Sequence, residues 1–186
     1  MKIAFDGKRA ICNFTGLGNY SRLLISLLCQ KEPQHEYLLF STQKNENNHR
    51  IQQFIKDSPL LRCYYATGIY SCMKSIWRSW FICKQLKEKH IDIYHGLSGE
   101  LPLNISHYPE IKSVVTIHDL IFEHFPQYYH IIDRNIYSYK FRKACQMADK
   151  VIAVSECTKK DIMRYYHIPA EKINVVYQGC APAFSL

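Results

Sequence analysis

The run Thr116-Ile117-His118-Asp119-Leu120 follows the apolar pair Val114-Val115 and precedes an aromatic-rich loop. A histidine where a buried strand opens into a loop stands at the usual ligand crevice of an α/β sheet. There an imidazole can bind a ligand, or donate or accept a proton near neutral pH. Its plainer role is to close a strand with its ring nitrogens satisfied locally. Asp119 could orient that ring or hold a ligand hydroxyl, or could simply cap the following turn. His95 ends another apolar run at His95-Gly96 and faces a similar choice between a pocket wall and a structural place. Gly16 and Gly18 permit positive φ and close approach of a ligand to the backbone. A helix beginning near Asn19 and Tyr20 would offer its free N–H groups to a phosphate. An ordinary loop with glycines at a helix start would read the same way. Ser155 reads first as a helix cap and second as a ligand contact, with Glu156 suited to the positive end of that helix.

These residues need a scaffold, and the chain supplies one. Lys2 to Phe5 reads as a short buried strand, followed by a polar, glycine-containing loop to Gly18. Tyr20, Leu23, Leu24, Leu27 and Leu28 form one apolar stripe of a helix that Lys31-Glu32-Pro33 stops. Tyr37 to Phe40 is a second strand, a short helix runs around Ile51, Phe54 and Ile55, and Leu60 to Ala66 is a third strand. Met73, Ile76, Trp77, Trp80 and Phe81 form the stripe of a further helix reaching about Lys89. Strands follow at Ile91 to Tyr94 and Ser113 to Ile117. A helix covers Asp133 to Met147, a strand Val151 to Val154, a helix the stretch from Ser155 to near Pro169, and a last strand Ile173 to Tyr177. Strand and helix alternate throughout. This predicts an α/β fold, a doubly wound, mostly parallel Rossmann-like sheet with helices on both faces.

The 186 residues suffice for one large domain, and 47% of them are hydrophobic, enough for a real core. The formal charge of +8 favours anionic partners. No apolar run approaches the roughly 20 residues of a membrane span. Met1 to Asp6 reaches a charge too soon for a signal peptide. The eight cysteines include no Cys-x-x-Cys pair and read as reduced, mostly buried small hydrophobes of a cytosolic protein. A dinucleotide fingerprint is disfavoured, because a third glycine is missing and Phe40-Ser41-Thr42 ends the second strand without an acidic residue. No nucleic-acid module is recognisable behind the positive charge, so nucleic acid is not an expected partner.

Four segments together resemble the N-terminal domain of a family 4 glycosyltransferase with the GT-B fold. They are Gly16-Leu17-Gly18-Asn19-Tyr20; Thr116 to Leu120 with Phe125-Pro126, in a mannosyltransferase-like form; Ala153 to Lys159; and Ile168 to Gly179. The resemblance implies residues 1–178 as the acceptor-side domain and 179–186 as the start of an interdomain linker. A C-terminal donor-binding domain would lie beyond it. It implies a retaining transfer of a hexose from a nucleotide-diphosphate sugar to a sugar or lipid-linked acceptor, in cell-surface polysaccharide or glycan synthesis. It also implies that no cofactor or metal is required. His118 would lie at the reaction centre and Gly16 and Gly18 at the donor diphosphate. Asn19, Tyr20, His95, Asp119, Ser155 and Glu156 would lie toward the acceptor.

The loop residues Glu123, His124, Tyr128, Tyr129 and His130 could stack on an acceptor sugar or cover the core. Lys74, Arg78, Lys84, Lys87 and Lys89 beside Trp77, Trp80 and Phe81 suit an anionic membrane surface. The plainer reading, and the favoured one, is an amphipathic helix with its aromatics in the core and its basic residues in water. The expected location is cytoplasmic, with the inner membrane face as a candidate site of attachment. The alternative to an enzyme is a non-catalytic truncated module that binds carbohydrate, membrane or a protein partner.

Overall fold

The computed structural model describes residues 1–45, 47–67 and 73–179. Seven strands are assigned: β1 Lys2–Asp6, β2 Glu36–Ser41, β3 Leu61–Tyr65, β4 Ile93–Gly96, β5 Lys112–Ile117, β6 Lys150–Ala153 and β7 Ile173–Val175. They form one sheet in the order β3-β2-β1-β4-β5-β6-β7, and every pairing is parallel. The order reverses between β1 and β4. In open sheets of this kind, ligands bind in the crevice outside the carboxyl ends of the strands at that switch. The doubly wound fold expected from the alternation is therefore the observed one.

The connecting helices are α1 Lys8–Cys12, α2 Gly16–Lys31, α3 His49–Lys56, α4 Lys74–Ile76, α5 Ile82–Glu88, α6 Ile121–His124, α7 Ile131–Met147 and α8 Glu156–Tyr166, with a π-turn at Trp77–Phe81. Neighbouring strand residues feed two separate cores. Ala4, Leu38 and Phe40 pack with Trp77, Leu86 and Val115, whereas Phe5, Tyr37 and Leu39 pack with Ile25, Ile51 and Phe54. Because side chains alternate across a sheet, these clusters are its two faces. Burial on both faces explains why Tyr37 to Phe40 is continuously apolar.

Two helical stripes differ from the sequence expectation. On α2 the buried residues are Gly18, Ser21, Arg22, Ile25 and Cys29, while Leu27 is exposed. The face is turned because Arg22 is drawn inward. Its Nη1 donates to the carbonyls of Ala10 and Asn13, both at 2.8 Å, and its Nη2 to Asn19 Oδ1 at 2.7 Å. A cation thereby satisfies carbonyls at the C-terminal end of α1, a short helix inside the stretch expected to be loop. In the Met73–Lys89 region only Trp77 of the expected stripe is fully buried; Met73, Ile76, Trp80 and Phe81 are exposed. The π-turn accounts for Trp80 and Phe81. It inserts one residue into a turn and rotates the rest of the helix by about 100°. Trp77 is therefore joined in the core by Ile82, Cys83 and Leu86.

Among the described cysteines, Cys29, Cys83 and Cys145 are buried, Cys63 is partly buried, and Cys12 and Cys157 are exposed. Cys29, Cys83, Cys145 and Cys157 are free thiols. Cys72, Cys180 and residues 180–186 of the expected linker lie outside the described residues.

Arg22→Met should lower stability by about 2–3 kcal/mol, because it leaves three acceptors of charge-assisted hydrogen bonds behind. Arg22→Lys should recover little of this, since an ammonium cannot reproduce the planar fork. Urea unfolding followed by circular dichroism measures both.

Candidate functional site

His118 is the first residue beyond β5, and its ring is held from two sides. Nε2 lies 3.0 Å from the Leu97 carbonyl, which can only accept, so Nε2 carries the proton. Nδ1 then accepts from Gln178 Nε2 at 2.7 Å. The Tyr20 ring meets the imidazole edge-on, with centroids 4.7 Å apart. The His118 main-chain carbonyl accepts from Thr158 Oγ1 at 3.0 Å, which ties it to the first turn of α8. Burial lowers the His118 pKa, and Arg9 adds to the effect; the Leu97 carbonyl and Asp119 act in the opposite sense. The ring is therefore neutral near pH 7, and Nδ1 is the lone pair it has to offer.

Beside it lies a cavity of about 180 Å³ lined by Arg9, Leu17, Ser98, His118, Asp119, Phe122, Tyr129, Tyr137 and Phe141. Gly99, at φ +77, makes the turn beneath Phe141; a Cβ there would lie 2.5 Å from that ring. Arg9 Nε is buried in the protein with no hydrogen-bond partner among the described residues.

Leu17 brings the amino end of α2 to this cavity. The helix starts at Gly16 rather than near Asn19, so Gly16 and Gly18 lie in its first turn, and neither has a positive φ. Asn13 Oδ1 accepts from the N–H groups of Thr15 and Gly18, each at 3.0 Å. The N–H groups of Gly16 and Leu17 have no acceptor among the described residues. The two glycines differ in kind. A Cβ on Gly16 would meet nothing within 4 Å, whereas one on Gly18 would lie 1.8 Å from the Asn13 carbonyl oxygen. Gly18 is thus required by the chain's own packing.

Other expected site residues are placed differently. Tyr20 does reach the site, and its hydroxyl lies 3.3 Å from Thr116 Oγ1. Asn19 instead holds Arg22 and lines a separate groove between α2 and α3. His95 is buried, with Nε2 2.8 Å from Thr116 Oγ1 and its ring against Phe5. It has no place in the His118 cavity. Asp119 lines the cavity, but its Oδ1 accepts from the Ile121 N–H at 3.2 Å, so it caps the turn and does not orient His118. Ser155 Oγ caps α8 by accepting from the Thr158 N–H at 3.1 Å, and Glu156 is exposed at the start of that helix. Of the aromatic loop, Tyr129 lines the cavity, Tyr128 is exposed, and His124 pairs with Asp161 at 2.8 Å. Arg9, Ser98 and Tyr137 carry no signal in the sequence, where nothing distinguishes them from ordinary loop and helix residues, and Gln178 stands out only as part of the run from Ile168 to Gly179. Among the described residues no group of three His, Cys, Asp or Glu side chains is arranged to hold a metal ion.

A family model described as Glycosyltransferase Family 4 matches residues 15–184. The O-antigen chain mannosyltransferase B of Escherichia coli is 26% identical over 197 residues, covering 97% of this chain and 48% of that protein. A lipopolysaccharide outer core galactosyltransferase in its apo form superposes with a TM-score of 0.54 at 18% identity, over 97% of this chain and 46% of that one. A glycosyltransferase from Rickettsia africae gives 0.56 at 17%, over 96% and 43%. At these identities the two structures share the fold. The chain spans about half the length of the relatives it matches.

Two predictions come from this geometry. Gly18→Ala should destabilise the domain by about 1–3 kcal/mol through overpacking. Gly16→Ala should leave stability unchanged or raise it by up to about 1 kcal/mol. Thermal melts of the pair measure the contrast. Burial pushes the His95 pKa down to about 4 from 6.5, with His118 adding to the shift. Between those values the unfolded chain binds the proton that the folded chain refuses, so stability rises with pH across this window. The loss on going from pH 7.5 to pH 4 should reach roughly 3 kcal/mol from this group. His95→Gln should flatten the profile in urea unfolding measured across that range.

Proposed function

The chain belongs to glycosyltransferase family 4, and on that premise we propose that it is the acceptor-side half of a retaining, GT-B-type enzyme. This enzyme moves a hexose from a nucleotide-diphosphate sugar to a sugar or lipid-linked acceptor in cell-surface polysaccharide or glycan synthesis. The observation that carries the reading is the neutral His118, fixed as the Nε2–H tautomer by the Leu97 carbonyl beside a cavity at the carboxyl edge of the sheet. A neutral imidazole with its lone pair directed outward can accept a hydrogen bond from a sugar hydroxyl and hold the ring at a fixed angle. Gln178 would have to yield its place on Nδ1 when the sugar arrives.

Leu17, in the first turn of α2, and Arg9 border the same space, and Gly16 stands next to Leu17 at the amino end of that helix. They suit the negative charge that develops on a departing diphosphate. Most of the charge on the donor would be met by the second domain, without a metal ion. Glu156 and the rings of Tyr129 and Tyr137 would face the acceptor. The mannosyltransferase-like sugar preference and a polysaccharide product rest on the Escherichia coli relative, whose name refers to an O-antigen chain.

The proposed location is the cytoplasmic side of a membrane. No helix among the described residues is long and apolar enough to cross one. Trp80, Phe81 and Ile76, expected in the core, are instead at the surface, where they favour peripheral attachment.

The test joins this chain to its donor-binding domain and measures hexose transfer from a panel of nucleotide-diphosphate sugars. His118→Ala should reduce kcat/KM by about a hundredfold or more while shifting Tm by no more than about 5 °C. Transfer at the parental rate would overturn the role assigned to His118.

A further inference from the structure

A second set of groups lies above the carboxyl end of β1, at the point where the strand order reverses. Here a cavity of about 250 Å³ has Lys8, Arg78 and Lys140 in its wall, with Thr42, Gln43 and Ser75 as uncharged hydrogen-bonding neighbours. No carboxylate among the described residues lines it. The two nearby acids are already engaged. Asp6 Oδ2 accepts from Arg78 Nη1 at 3.1 Å, and Glu100 pairs with Arg78 Nη2 and lies 3.7 Å from Lys140 Nζ. Three cations thus face two carboxylates, which leaves one positive charge in excess within a half-buried space. Lys8 is held below the ordinary lysine value by burial and then by Arg78, the response of a cation without its full complement of negative charge.

Lys140 also lines the adjoining cavity, of about 300 Å³, whose wall includes Leu101, Leu103, Ile136 and Tyr139, together with the Glu100 that Arg78 and Lys140 engage. That space is mainly apolar. Ile136 and Tyr139 extend it to the surface, where both are exposed, and Ser79 brings it beside the exposed Trp80. One lysine therefore joins a cationic chamber to an apolar one. Two such chambers side by side are complementary to a molecule with an anion at one end and hydrocarbon behind it.

We propose that the two cavities form one binding site for an acceptor that carries a phosphate group next to an apolar chain. The phosphate would sit between Lys8, Arg78 and Lys140, and the chain against Leu101, Leu103, Ile136 and Tyr139. This rests on the acceptor-side reading and narrows it to a lipid-linked phosphate or diphosphate.

The test is binding of monomeric dodecyl phosphate to the purified chain by titration calorimetry, beside inorganic phosphate and dodecyl maltoside as controls. Dodecyl phosphate should bind at least about tenfold more tightly than either control, since it alone fills both chambers. Lys8→Gln with Lys140→Gln should weaken it about tenfold or more, whereas Lys8→Arg with Lys140→Arg should retain binding. Ile136→Ser with Tyr139→Ser should weaken dodecyl phosphate and leave inorganic phosphate unchanged. Arg78 is left intact, because its removal would strand two buried carboxylates. Equal binding of dodecyl phosphate and inorganic phosphate would overturn the apolar half. Unchanged binding in the Lys8→Gln/Lys140→Gln variant would overturn the site. Lysine-dependent binding to phosphatidylglycerol vesicles without binding of the monomer would mark a membrane-facing surface and overturn the pocket. The readout is binding alone, so the outcome of the His118→Ala transfer assay stands apart from it.

Discussion

The buried guanidinium of Arg78 sets the terms for this end of the sheet. Its side chain is only 11% exposed and lies between Asp6 and Glu100. Desolvating a charge costs several kcal/mol, and the cost is tolerable only when good geometry supplies opposite charge in return. Three parts of the chain are therefore tied together: the end of β1, which carries Asp6; the loop after β4, which carries Glu100; and the π-turn, which carries Arg78. The two carboxylates hold the Arg78 pKa above its usual value against the opposing effect of burial. Both are engaged by it, and with Lys140 also beside Glu100 the three cations Lys8, Arg78 and Lys140 outnumber the two acids by one.

The same constraint explains why one helix departs from its sequence pattern. With 3.6 residues per turn, Ile76, Trp77, Trp80 and Phe81 form a plausible core stripe and Arg78 belongs in water. The π-turn at Trp77–Phe81 places Trp77 in the core, draws Arg78 to the switch point and leaves Trp80 51% exposed. A single extra residue in a turn has no signature in apolar spacing. Arg22 is the second instance. A basic residue among leucines reads as solvent-facing, and only the presence of α1, whose carbonyls it satisfies, gives it a reason to be inside. The strands were legible because they are buried on both faces and thus continuously apolar. Their parallel arrangement followed from alternation with helices.

His118 was legible for a related reason. It stands where an apolar run meets a polar loop, and in a parallel sheet that junction is the ligand edge. The roles of its neighbours were not legible, because capping and binding use the same residue types. Asp119 and Ser155 are good ligands for a sugar hydroxyl and good caps for a turn or helix. The structure uses both for capping. His95 was a histidine at a strand end as well, yet it lies one strand nearer the centre of the sheet and is sealed against Phe5 and Thr116. Thr116 Oγ1 contacts His95 Nε2 and the Tyr20 hydroxyl, so the buried histidine helps to place the tyrosine that packs on His118.

Arg9 gives the arrangement its remaining physical sense. Its Nε is buried without a hydrogen-bond partner among the described residues. An unpaired buried donor costs roughly 1–3 kcal/mol, and folded proteins leave few of them. A group kept in that state is costly for folding alone and useful if something else completes it. Arg9 faces the His118 cavity, next to the amino end of α2, where two N–H groups also lack acceptors among the described residues. On the proposed reading, the phosphates of a donor entering this cavity would meet the Arg9 charge beside the first turn of α2. If such a donor binds there, stability forgone in the free domain would return as binding energy, which is how a preorganised electrostatic site differs from a surface that merely carries charge.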